Sequence, residues 1–494
     1  MTDYGFWSLL PPVIAIVLAI RTKQVFIALV FGIWLGWVIL ADGNILAGTV
    51  ATIQGLVDVF KDPGNTRTIM FSALVGSLIA FIQRSGGVAG FVNNINSFLE
   101  RIAKQGKTSS RKWVQLLAWL TGVVIFVESS ISVLTVGALY RPVFDQLKIP
   151  REKLAYIADS SSAPACILIP FNAWGAYVMG LLVLQGFNDP VNILIRAFVY
   201  NFYPFLALAL VLWIIFSGRD YGAMKKAEIR AQKEGKVIAD DAQPMVANDI
   251  TMLDPKPGVK TKAINMILPI ATMVGLMPLM LSYTGWNEVE NSTQMSFLTH
   301  SLKAIGHGSG SSAVLYSVIC SLLVGVILYR SQGIMKTREL VDLALKGIGG
   351  LMPLALLMLL AFAIGNVCKE LDTGGYVASV TRGWLSPGLV PAIIFMVSAF
   401  IAFATGTSWG TFAIMMSIAV PMSQSLDANL YMAVAAVLGG GVFGDHCSPI
   451  SDTTILSSMA SASDHIDHVK TQLPYALSMG AIAVFLYLLL GLIF

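Results

Sequence analysis

Charge is what this chain has least of. Only 12% of its 494 residues are Asp, Glu, Lys or Arg, 56% are hydrophobic, and the mean hydropathy is +0.73. So little charge cannot clothe a soluble domain of this size. Cysteine is scarce too: Cys166, Cys320, Cys368 and Cys447 lie scattered with no CxxC pair, so a metal or redox motif of that type is excluded and no disulfide framework is indicated. HExxH is absent. The GHGSGSS run at Gly306 to Ser312 lacks the GK[ST] ending of a phosphate loop, which excludes nucleotide binding. No feature points to an enzyme, a cofactor or a nucleic-acid partner.

What the chain does have is long apolar runs. Phe198 to Phe216 and Ala313 to Tyr329 are long enough, at 1.5 Å per residue, to cross a hydrocarbon core of about 30 Å. Many such runs make this an all-α polytopic membrane protein. The opening MTDYGFWSLLPPVIAIVLAI has no basic n-region or small-residue cleavage site and reads as a first spanning helix.

The basic residues set the expected topology. If clusters around Arg21, Arg101, Arg141 to Lys153, Ser217 to Lys262, Arg330 to Lys346 and Lys470 face the cytoplasm, 26 of 32 Lys and Arg lie inside. That bias follows the positive-inside rule and leaves the N-terminus outside. A plasma (inner) membrane location is expected.

Two apolar segments then begin and end on one side. Residues about 113–145 are interrupted by Glu128-Ser129-Ser130, and about 390–422 by Thr405 to Gly410. Each limb, at about a dozen residues, is too short to span, so each segment is expected to be a re-entrant hairpin, the first cytoplasm-facing and the second outside-facing. Ser129 lies thirteen residues before Pro142, and Ser408 thirteen before Pro421. Beyond each hairpin comes a helix with a polar, proline-containing stretch, Asp159 to Pro164 and Asp445 to Pro449. The expected architecture is therefore two inverted repeats, 1–216 and 263–494, with broken helices at 159–164 and 444–453. The basic linker 217–262 reads as a solvated cytoplasmic connector. Such repeats mark secondary transporters.

The broken helices and hairpin tips carry the candidate site. Freed carbonyls and hydroxyls can replace the water shell of a hard ion such as sodium. The candidates are Glu128, Ser129, Ser130, Asp159, Ser160, Ser161, Ser162, Asn172, Thr407, Ser408, Asp445, His446, Ser448, Ser451, Asp452 and Thr453. A membrane-embedded carboxylate is costly and by default functional, whereas a lone Ser or Thr can simply bond its own helix. His446 is a proton carrier or a hydrogen-bonded spacer. His465 and His468 are spaced like a metal pair but are expected in a solvated cytoplasmic loop.

Phe126 to Tyr177 and Gly439 to Ala476, the latter containing GDHCSPISDTT, resemble the two signature regions of the NhaC sodium/proton antiporter family. The resemblance implies opposed hairpins, often a dimer moving transport domains against a scaffold, and sodium as the coupling ion. It places sodium on Ser129, Ser130, Ser161, Thr407, Ser408, Asp445 and Asp452. Several members carry an acidic pair where this chain has Ser129 and Ser130. The resemblance makes sodium/proton antiport by alternating access the first reading, and the missing acidic pair counts against it. The second is sodium-coupled symport or exchange of a small amino acid or organic acid, which Asn172, Trp174 and Trp409 would suit. A channel or intramembrane enzyme comes last.

Overall fold

The computed structural model describes residues 4–22, 24–91, 93–94, 107–126, 129–170, 172–187, 189–244, 255–288, 297, 300–301, 304–305, 308–381 and 385–493. Among them the fold is all-helical. Eight helices are long and apolar enough to cross a bilayer, or nine if one bent pair counts as a single span. Large apolar side chains such as Leu323, Ile327, Phe400 and Phe485 point outward, as hydrocarbon solvent allows.

The first half contains α1 (Leu10–Thr22), α2 (Val25–Leu40), α3 (Ile45–Asp58) and α4 (Pro63–Arg84). The Asp62 side chain accepts the Asn65 N–H at 2.8 Å and Pro63 fills the first turn, which fixes where α4 starts. Next come α5 (Lys107–Val124) and α6 (Ser129–Gln146), which pack on each other, then α7 (Arg151–Leu168) and α8 (Ala173–Leu184), bent by 42°. α9 (Pro190–Phe198) and α10 (Phe202–Ser217) complete this half.

After α11 (Gly222–Glu234), the second half has α12 (Ile264–Gly285), α13 (Gly310–Ser331), α14 (Thr337–Glu370) and α15 (Thr373–Thr381). The packed pair α16 (Val390–Thr405) and α17 (Ser408–Ser425) is followed by α18 (Leu430–Cys447), α19 (Asp452–Ser461) and α20 (His465–Gly491). Both halves thus run in the order paired helices, broken helix, closing helix. We propose that the two are inverted with respect to each other, as the charge pattern requires.

The hairpin limbs have 16 to 18 residues, longer than the dozen expected, because helix continues past each basic or proline flank. With its preceding turn, α16 reaches 19 residues and is itself long enough to cross. The first apolar run is shorter than a full span, as Gly5–Leu18. α4 and α14 cross at two glycines: a Cβ on Gly76 would stand 2.2 Å from the Gly347 carbonyl oxygen, and one on Gly347 2.4 Å from that of Gly76. Ser77 Oγ donates to the Ala344 carbonyl beside this crossing at 2.8 Å. Small residues let two membrane helices touch backbone to backbone.

The linker departs from a solvated connector. Asp220 and Glu228 of this segment hold the buried Lys153 Nζ at 2.7 and 3.4 Å, Arg111 pairs with Glu228, and Arg230 reaches Glu152 at 2.7 Å. Charged partners on α5 and α7 therefore dock α11 against the membrane bundle. Residues 245–254 lie outside the described ones.

Candidate functional site

Every residue of α7 from Glu152 to Leu168 is buried, so Asp159 sits on the most enclosed helix of the fold. The expected break at 159–164 is absent. α7 runs through Pro164, because Ser161 and Ser162 bond back to the carbonyls of Ile157 and Asp159 at 2.7 and 2.9 Å, and no capping residue follows the proline to restart a helix. The interruption falls at 169–172 instead. Ile169 before Pro170 is extended (φ −99°, ψ 109°), and Asn172 then caps α8 by accepting the Gly175 N–H at 3.0 Å. Asn172 also donates to the carbonyls of Phe126, at the first hairpin, and Cys166, at 2.9 and 2.7 Å.

The second half uses the same construction. α18 stops at Cys447, Ser448 before Pro449 is extended (φ −81°, ψ 128°), and the Ser451 hydroxyl caps α19. This break meets the tip of the second hairpin. Ser448 Oγ donates to the Phe403 carbonyl at 2.7 Å, and Gly406, in a left-handed conformation (φ +70°), lies against Ile450, whose carbonyl oxygen would be 2.6 Å from an added Cβ. At the start of α17, Ser408 Oγ is 2.8 Å from Asp445 Oδ2 and 3.2 Å from the Gly441 carbonyl oxygen. A carboxylate, a hydroxyl and a backbone carbonyl of a buried helix are thus joined, the donor set a hard cation takes.

A second constellation surrounds Asp159. Its Oδ2 accepts from Gln472 Nε2 at 2.7 Å and Thr454 Oγ1 at 3.2 Å. His468 Nε2 stands 3.7 Å from it and His446 Nε2 3.9 Å. His446 is held by Ser160 Oγ at 3.0 Å and the Tyr203 hydroxyl at 2.7 Å; Ser457 Oγ contacts His468 Nε2 at 3.0 Å. Gln472 Nε2 also donates to the His446 carbonyl at 2.7 Å. Asp159 Oδ1, His468 Nδ1 and Gln472 Oε1 are buried with no partner among the described residues. Two imidazoles beside one carboxylate form a group that can take or release a proton within a dry interior.

The structure joins Ser408 with Asp445, and Asp159 and Ser160 with His446. Among the described residues Ser161 and Ser162 hydrogen-bond within their own helix, Thr407 lends its carbonyl to Thr411 Oγ1 at 3.0 Å, and Ser451 and Thr453 are 3.1 Å apart. Ser129 is buried at the first residue of α6. Glu128 and the side chains of Ser130 and Asp452 lie outside what the structure describes. His468 is a correction: α20 begins at His465, and His468 is fully buried facing Asp159 rather than solvated. His465 bonds the Pro449 carbonyl at 2.6 Å. Sequence reasoning also missed Gln472, Tyr203 and Ser457. The signal for the first was its place four residues after His468, on the same face of the helix.

Residues 182–492 match the profile of the Na+/H+ antiporter family. An uncharacterized protein of Haemophilus influenzae is 31% identical over 98% of this chain and 91% of its own. The malate-2H(+)/Na(+)-lactate antiporter of Bacillus subtilis is 28% identical over 24% of this chain and 29% of that one. Among solved structures, the YdaH transporter of Alcanivorax borkumensis has a similar fold: TM-score 0.53, 13% identity, 90% of this chain and 88% of that chain.

Proposed function

This chain belongs to the Na+/H+ antiporter family, a multi-pass membrane secondary transporter and not an enzyme, and on that premise we propose that it exchanges sodium for protons by alternating access. The observation that carries the reading is the pair of buried carboxylates, each with a different company. Asp445 is met by the hydroxyl of Ser408 at a hairpin tip, and we assign it to sodium. Asp159 is met by His446 and His468, and we assign it to the proton. His446 lies one residue from Asp445 and within 3.9 Å of Asp159 Oδ2, so occupancy of one carboxylate is felt at the other through a single turn of α18. Opposed hairpins and the inside location of the linker complete the proposal, with the plasma membrane as its place.

Purified protein in liposomes containing a pH dye, with sodium added outside, tests this directly. Sodium-dependent alkalinisation of the lumen or its reverse, without any organic solute, supports exchange; a flat trace refutes it. A second reading, sodium-coupled carriage of a small organic solute, draws on the Trp174 and Trp409 rings. They lie 4.9 Å apart at the start of α8 and the tip of α17, an apolar wall between the two breaks. The similarity to a lactate-linked antiporter points the same way.

A further inference from the structure

A cavity of about 440 Å³ opens away from both carboxylates' constellations, among the starts of α4, α9 and α13. That volume lies within the roughly 300–1,000 Å³ of small-molecule sites. The charge pattern puts these helix starts on the outer side, opposite Arg84 and Arg330. Its lining unites three features the sequence leaves apart: Asp62-Pro-Gly-Asn65-x-Arg67, Asp189-Pro190, and the GSGSS end of the run rejected as a phosphate loop.

Each of the three helices has its first turn capped by its own chain. Asp62 Oδ1 takes the Asn65 N–H at 2.8 Å, Asp189 Oδ1 takes the Asn192 N–H at 3.1 Å, and the Ser309 side chain caps α13. The caps use one oxygen of each carboxylate, and Asp62 and Asp189 both line the cavity. Arg67, one of six basic residues outside the cytoplasmic clusters, is half-buried in the wall and has no ion pair or hydrogen bond among the described residues. Asn65, in the same wall, is only 2% exposed.

From these we infer that the outer cavity is a binding site for a small zwitterionic amino acid. Arg67 offers a planar fork that fits a carboxylate, reinforced by the helix starts. Asp62 and Asp189 offer carboxylate oxygens for an ammonium group. A simple anion would meet two carboxylates, and a simple cation would meet Arg67; only a ligand bearing both charges satisfies every group. The site goes beyond sodium/proton exchange, since it takes solute whether or not sodium moves protons.

The test uses the full-length protein in detergent, with thermal unfolding followed as glycine, L-serine, L-glutamine or L-leucine is titrated singly. Acetate and ethylammonium serve as single-charge probes. The expected result is a saturable rise in unfolding temperature with at least one amino acid and with neither single-charge probe. Arg67→Gln is expected to weaken that binding more than tenfold, and Arg67→Lys, which keeps charge without the fork, at least threefold. No stabilisation by any of the four, equal stabilisation by acetate, or unchanged affinity in Arg67→Lys overturns the inference. The sodium-driven pH signal in solute-free liposomes reports exchange separately, so failure of one proposal is not failure of the other.

Discussion

Asp159→Asn separates charge from structure at the proposed proton site. Asp159 Oδ2 receives Gln472 and Thr454 at 2.7 and 3.2 Å, and an amide oxygen in its place can keep both bonds. What is lost is charge assistance, the difference between a hydrogen bond to a charged group, about 1.5–3 kcal/mol, and a neutral one, about 0.5–1.5 kcal/mol. For two bonds that is about 2 kcal/mol. Against it stands the cost of keeping a carboxylate ionised out of water, several kcal/mol per ion. The two nearly cancel, so the unfolding temperature should hold steady or rise. Exchange should not survive, because the neutral amide gives His446 and His468 no counter-charge. The initial rate of the sodium-driven pH change in liposomes is expected to fall at least tenfold. Gln472→Leu makes the opposite change: the carboxylate stays but loses its shortest hydrogen bond, and a hydrogen bond to a charged group is worth about 1.5–3 kcal/mol. Its unfolding temperature should drop sharply. Asp159→Asn exchanging at the wild-type rate would refute the assignment, as would the two variants shifting stability alike.

Ser408→Ala removes the hydroxyl that reaches Asp445 at 2.8 Å; the sodium concentration for half-maximal exchange should rise about tenfold, equivalent to about 1.4 kcal/mol, with little change in maximal rate, and an unchanged sodium dependence would remove Ser408 from the site. Lys153→Met strips the ammonium from between Asp220 and Glu228, whose side chains are nearly enclosed with it; a loss of about 3 kcal/mol is expected in thermal or denaturant unfolding, and wild-type stability would show that α11 docks by packing alone. Gly76→Ala puts a methyl 2.2 Å from the Gly347 carbonyl oxygen, so α4 and α14 must part at a cost of about 1–3 kcal/mol; a variant as stable as the parent would refute the close crossing.

How far the sequence could be read is best seen in the two breaks. Both are written with the same four residues, an extended position, proline, an intervening apolar residue and a polar cap: Ile169 to Asn172 and Ser448 to Ser451. The second was legible because the polar cluster and the break coincide. The first was assigned ten residues too early, to the serines after Asp159, because hydroxyls that bond their own helix look in sequence like hydroxyls that replace it. His468 and Gln472 were hidden for a related reason: a basic residue and two aspartates nearby suggest water, and only the fold shows which face of α20 turns inward. Setting the breaks in register changes the functional argument. Asp445 lies three residues before its break and Asp159 ten before its own, a difference of about 10 Å along a helix at 1.5 Å per residue. The two acids are therefore not copies of one half-site. The carboxylates sit at different depths relative to two similarly built breaks, Asp445 beside Ser408 and the Gly441 carbonyl, Asp159 among the imidazoles of His446 and His468. If both acids served the same ion, such displacement would have no purpose; if they divide a cation and a proton, it keeps two charges from competing for one place while His446 links them.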